Sequence, residues 1–128
     1  AKEAPKTSKG DAPKEAPAAE YIKFEQFEAV ELRVGLVQAA ERVEGSDKLL
    51  KLQVDLGEEA ARTIMAGIGK AYAPEDLVGN RYAVVANLKP RKIFKILSQG
   101  MLLAADTTDG SLALTSLPET VAPGTRLS

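Results

Sequence analysis

The 128-residue chain has no cysteine and no histidine. The first absence excludes disulfides, thiol nucleophiles and thiolate metal sites. The second removes the side chain that most often acts as general base near neutral pH and most often binds zinc. Tryptophan is missing too, and three Phe and three Tyr make up all the aromatics. A platform on which successive single-stranded bases stack is therefore poorly supplied. No apolar run approaches the ~18 residues of a membrane-spanning helix, and the N-terminus lacks the apolar segment of a signal peptide. A cytoplasmic protein with no membrane partner is expected. Most enzyme chemistries fail on the same counts. Ser98 has no histidine to activate it, and Glu41, Glu44, Asp47 and Asp55 show no metal-loop spacing and nominate no catalytic pair. No catalytic residue, metal or cofactor is expected.

What is present is the material of one domain, on a prior of roughly 100 to 200 residues each. Composition is ordinary for a folded soluble chain, with 45% hydrophobic and 27% charged residues. The net charge of −1 conceals a strong segregation. Residues 21–60 carry five basic and nine acidic groups, whereas residues 81–100 carry Arg81, Lys89, Arg91, Lys92 and Lys95 and no acid. The acid-free stretch runs for 29 residues, from Leu77 to Ala105. Concentrated positive charge of this kind is the electrostatic footprint that phosphates require.

Residues 1–20 hold Ala, Lys, Glu and Pro, with four Lys against four acids and almost nothing to anchor a core. Pro5, Pro13 and Pro17 interrupt any helix. This stretch reads as a solvated linker, with the folded domain over 21–128. Because the chain opens on Ala1 after no methionine and then runs through a linker, a piece detached from an upstream partner is expected. Phe24, Phe27 and Val30 at three-residue spacing predict a helical turn or two. Five β-like runs follow, at Leu32–Ala39, Lys48–Leu56, Arg62–Ala66, Tyr82–Asn87 and Met101–Ala105. The clearest is the second, where Leu50, Leu52, Val54 and Leu56 alternate with Lys51, Gln53 and Asp55. Pro74 to Val78 predicts a short helix opened by proline and stopped by Gly79. Leu112–Thr115 and Thr125–Leu127 add C-terminal strands. An all-β, five-stranded OB-fold barrel with a helix between strands 3 and 4 fits this order; an SH3-like barrel competes on pattern alone.

The strongest local signal is Asn87-Leu88-Lys89-Pro90-Arg91-Lys92-Ile93-Phe94-Lys95, where a buried strand runs out into a basic loop. Pro90 holds Lys89 extended, so the cations splay around a turn and do not share a helix face. Such a loop suits an irregular phosphate backbone, or simply keeps a sheet edge solvated. Next come Ser98-Gln99-Gly100-Met101. Ser98 and Gln99 offer groups for a ribose 2′-OH or a base edge. Gly100 marks a bulge or a close backbone approach, and Met101 is either core or contact. Gly45-Ser46-Asp47-Lys48 reads as a turn that leaves Lys48 a route to the ligand face. Gly67-Ile68-Gly69-Lys70 lacks the spacing of a phosphate loop and reads as a turn.

Six segments occur in an order that resembles a known family: Glu31-Leu32-Arg33-Val34-Gly35, Val43-Glu44-Gly45-Ser46-Asp47-Lys48-Leu49, Val54-Asp55-Leu56-Gly57, Ala66-Gly67-Ile68, Asn87-Leu88-Lys89-Pro90-Arg91-Lys92 and Ser98-Gln99-Gly100-Met101. Over residues 22–128 the chain resembles the tRNA-binding OB domain at the C-terminus of many bacterial methionyl-tRNA synthetases. Relatives of that domain include free-standing dimeric tRNA-binding proteins, an export-related chaperone and the C-terminal part of endothelial-monocyte-activating polypeptide. The resemblance implies a non-catalytic module that binds the folded shape of tRNA and forms a homodimer through elements flanking the barrel. It also implies covalent linkage to an upstream catalytic domain, whose local tRNA concentration it raises. Lys48, Ser98 and Met101 match the family's tRNA-contact motif, supported by Asn87, Gln99 and the loop cations Lys89, Arg91, Lys92 and Lys95. A protein-binding chaperone or assembly role on the same barrel is the alternative. One departure stands out: many members carry a glycine between the Pro-Arg-Lys loop and the Ser-x-Gly-Met motif, where this chain reads Ile93-Phe94-Lys95-Ile96-Leu97.

Overall fold

The computed structural model describes residues 20–109 and 111–128, so the expected linker lies almost wholly outside the described residues. Helix α1 (Phe24–Glu28) leads into strand β1 (Leu32–Arg42), followed by β2 (Leu50–Asp55), β3 (Arg62–Ala66), helix α2 (Pro74–Leu77) and β4 (Arg81–Val85). Then come β5 (Arg91–Ile93), β6 (Ile96–Ser98), β7 (Met101–Leu102), β8 (Ala104–Asp106), β9 (Leu112–Leu114), β10 (Ser116–Leu117) and β11 (Arg126–Leu127).

The main sheet runs β10-β4-β1-β2-β3, with β7 added to β4 and β11 to β1. Strand β1 is its spine. Its first half pairs β4, from Leu32 opposite Val85 to Leu36 opposite Arg81, and its second half pairs β2, from Leu36 opposite Asp55 to Arg42 opposite Leu50. The register shifts between Val37 and Ala39, a bulge that bends the strand between its two partners. Gly35 permits the close approach on the inside of that bend. A Cβ there would stand 2.6 Å from a Val54 methyl and 2.7 Å from a Val84 methyl.

Alternation in β2 sends Leu50, Leu52 and Val54 fully inward, where they meet Ile64, Val37, Val84 and Leu77. Burying each such side chain is worth about 1.5–3 kcal/mol. Helix α2 contributes Leu77 to this core, and Gly79 follows at φ +90°. The sheet returns on itself where β3 meets the segment entering β7. The Gln99 N–H donates to the Thr63 carbonyl at 2.8 Å there, giving a nearly closed barrel of OB type.

Three expectations need adjustment. The second strand starts at Leu50, not Lys48, because Ser46 Oγ accepts the Lys48 and Leu49 N–H groups and holds a turn. The expected run Met101–Ala105 breaks at Leu103: β7 stays with β4, while β8 leaves to pair β9. Part of the expected basic loop is instead the β5–β6 hairpin. Among the described residues, no helix is long and apolar enough to cross a membrane.

Candidate nucleic-acid interface

Past β4 the chain reaches Asn87, whose amide is occupied at both ends. Its Oδ1 accepts the Glu31 N–H at 2.9 Å, and its Nδ2 donates to the Ala29 carbonyl at 2.7 Å. Asn87 therefore ties the exit of α1 to the end of β4. Ser98 is 5% exposed; its hydroxyl accepts the Met65 N–H at 3.0 Å and donates to the Gly100 carbonyl at 3.3 Å. Gln99 Oε1 accepts the Thr63 N–H at 3.2 Å. Two edge N–H groups of β3 thus find side-chain partners where the backbone ladder gives out. Gly100, at φ +153°, passes so near Val85 that a Cβ would stand 3.2 Å from its carbonyl oxygen. That is the close approach expected from its place in the pattern.

Beside this closure lies a trough. Leu88, Lys89, Pro90, Arg91, Ile93 and Met101 line its centre, with Met101 46% exposed. Ile93 also borders a neighbouring hollow formed by Gly45–Leu49 and Phe94, which brings Lys48 alongside the loop cations. On the other side Leu88 and Pro90 adjoin a hollow lined by Glu58, Glu59, Arg62 and Gln99. The trough therefore adjoins one hollow that holds Lys48 and Asp47 and another that holds Glu58, Glu59 and Arg62.

The hairpin divides the cations that the sequence groups together. In β5, Arg91 lies opposite Ser98 and Lys92 opposite Leu97. Alternation puts Arg91 and Ile93 on the trough side, and Lys92 on the far face with exposed Leu97. The turn between β5 and β6 is Phe94-Lys95, at φ +52° and +65°. Positive φ at both central residues is the mark of a type I′ hairpin turn, which Asn-Gly fills most readily. Here neither residue is glycine, and the left-handed conformation costs about 1–2 kcal/mol for each. The lack of a glycine in Ile93–Leu97 has not removed the tight turn, and Lys95 stands exposed at its tip.

Among the described residues, none of Lys48, Lys89, Arg91, Lys92 and Lys95 joins an ion pair, whereas Asp47 is 3.6 Å from Lys70. Arg62 makes four hydrogen bonds. It meets Glu58 through two bonds of 2.9 and 2.7 Å and donates to the Ala86 and Gln99 carbonyls at 2.6 and 3.1 Å. The bond from Arg62 holds the Glu58 carboxyl below its ordinary range, and the same bond raises Arg62. Sequence reasoning missed this clasp, and it missed Phe94, Leu88 and Pro90 as lining residues. The acid four residues before Arg62 was the available signal for the clasp; Phe94 carried none.

A small OB-type barrel whose trough carries cations that join no ion pair among the described residues defines a nucleic-acid-binding class of domain. Residues 32–126 match the family model described as a putative tRNA binding domain, and the chain belongs to that family. It is 55% identical over 105 residues to the methionine–tRNA ligase of Methanothrix thermoacetophila, covering 82% of this chain and 15% of that protein. The chain spans about a sixth of the length of the curated ligases it matches. Among solved structures, the methionyl-tRNA synthetase related protein from Pyrococcus horikoshii superposes with a TM-score of 0.81 at 42% identity, over 85% of this chain and 99% of that one. The chaperone CsaA from Bacillus anthracis gives 0.76 at 29% identity, over 85% and 100%.

Proposed function

We propose that this domain binds folded tRNA along the trough without catalysing a reaction, and that attachment to a methionine–tRNA ligase core raises the tRNA concentration that core experiences. The observation that carries this reading is the set of cations of the acid-free stretch, joined by Lys48, that converge on one trough and form no ion pair among the described residues. Lys48, Lys89, Arg91 and Lys95 neutralise phosphates, and Met101 packs against sugar or base. Gln99 offers its amide nitrogen to a ribose or base edge. Ser98 and Asn87 act as positioning residues: the first fixes the strand entering Met101, the second fixes the root of the basic loop. Lys92, on the far face, contributes through the long-range field. Four phosphate contacts predict a slope of about −3 for log K against log salt concentration. A tRNA titration over a salt series measures it, and a slope near zero contradicts the reading.

Homodimerisation is the second part of the proposal. Tyr21, Ile22 and Phe24 expose their apolar side chains around α1, with Tyr21 at 85%, and contiguous exposed apolar groups mark association surfaces. Sedimentation that finds only 13.6 kDa particles at high concentration contradicts it. The likeness to a chaperone favours a protein-binding use of the same barrel as the second reading; that use predicts binding to unfolded polypeptide that persists at high salt.

A further inference from the structure

We propose that Phe94 is a stacking platform for one unpaired nucleobase of the bound RNA; this deepens the tRNA reading and rests on it. Of the six aromatic residues, Tyr21, Phe24 and Phe94 are exposed; Phe94, at 53%, sits at the tip of the β5–β6 hairpin beside the trough. The backbone that presents it is the left-handed Phe94-Lys95 turn. A bulky residue at positive φ is a rare choice where Asn or Gly serves more easily, and strained backbone of this kind clusters at ligand sites. The ring borders the hollow that also contains Lys48, and a Cβ on Gly45 beneath it would stand 3.6 Å from Phe94 Cε2. One edge of the ring thus lies near the Gly45 turn, and the side chain is 53% exposed.

The charges around the ring select the occupant. Lys95 follows it directly, and Lys48 shares its hollow. Asp47, the acid in that hollow, is already paired with Lys70. An apolar face flanked by cations fits a group that is itself flat, apolar on its faces and joined to anions on both sides. An extruded nucleobase with its two phosphates has that form. Stacking tolerates any base, because each has a π-face, so the contact adds affinity for exposed loop bases without imposing sequence.

Two variants test this. Phe94→Asn keeps a residue that adopts the left-handed region readily and deletes the ring. Its melting temperature should be no lower than the parent's, its affinity for folded tRNA should fall about tenfold, and its salt slope should not change. Phe94→Trp installs the chain's sole tryptophan; its fluorescence should be quenched when tRNA binds, while a Tyr21→Trp reporter should not respond. A parent that binds tRNA and a Phe94→Asn variant that binds it equally well overturn the stacking role. A variant that melts lower but binds equally makes the ring a packing group and overturns it too. If the parent itself binds no tRNA and the Phe94→Trp signal is flat, the functional reading fails first and takes this inference with it.

Discussion

The Ser98 hydroxyl receives the Met65 backbone N–H at 3.0 Å, joining β6 to β3 across 33 residues of sequence. The bond closes the barrel immediately before the strand that presents Met101. A serine that the family resemblance would place at the RNA is here a buried clasp, so in the proposed function it acts on binding through the position of its neighbours. Ser98→Ala leaves the Met65 N–H buried without a partner, at a cost of about 1–3 kcal/mol. Urea unfolding should show the loss, and the salt slope of tRNA binding should stay unchanged. An unaltered stability with weakened binding would instead make Ser98 a direct contact.

Arg91 and Lys92 are neighbours in sequence and lie on opposite faces of β5. Arg91→Ala should weaken tRNA binding and flatten the salt slope by about 1, as the loss of one phosphate contact does. Lys92→Ala should change the slope by a clearly smaller amount. Equal effects would mean that the whole hairpin is wrapped by RNA.

Lys95 occupies a φ of +65° that glycine adopts without strain. Lys95→Gly should raise stability by about 1 kcal/mol, since removing a left-handed side chain outweighs the extra freedom of the unfolded chain. The same variant loses a proposed phosphate contact, so tRNA affinity should fall while the melting temperature rises. Affinity that rises with stability would show that Lys95 does not touch the ligand.

The turn between β8 and β9 carries a pH signature. The Thr107 hydroxyl, then the Ser111 hydroxyl and backbone N–H, donate to Asp109 and hold its carboxyl at about 2. The unfolded value is about 3.9. The folded value is depressed, so this contribution is fully present above pH about 3.9 and is lost as pH falls through about 2. A carboxyl-carbon NMR titration should place the midpoint near 2. A midpoint near 4 would mean that the hydroxyl cradle does not form in solution.

The barrel was legible wherever a local pattern repeats. Leu50, Leu52 and Val54 announce β2 by period-two alternation, and Pro74 and Gly79 bracket α2. The β5–β6 hairpin was not legible: its strands have three residues each, too few to show a period, and its turn lacks the Asn-Gly that usually betrays one. The break at Leu103 was hidden because it follows from a change of strand partner, a nonlocal event. The candidate site was legible as a set of cations. The bonding of Asn87 and Ser98 was not, because their partners are backbone N–H groups 56 and 33 residues away. A sequence supplies the polar group; only the fold says which backbone donor it serves.

In the proposed function, one trough lined by Lys89 and Arg91 reads the folded shape of tRNA. Competition between folded tRNA and an unstructured RNA of equal length, for the parent chain and a Lys89→Ala, Arg91→Ala double variant, tests it most directly. The parent should prefer folded tRNA, and the double variant should lose both the preference and most of the salt dependence. Equal binding of the two RNAs by the parent, or a preference undiminished in the variant, would contradict it.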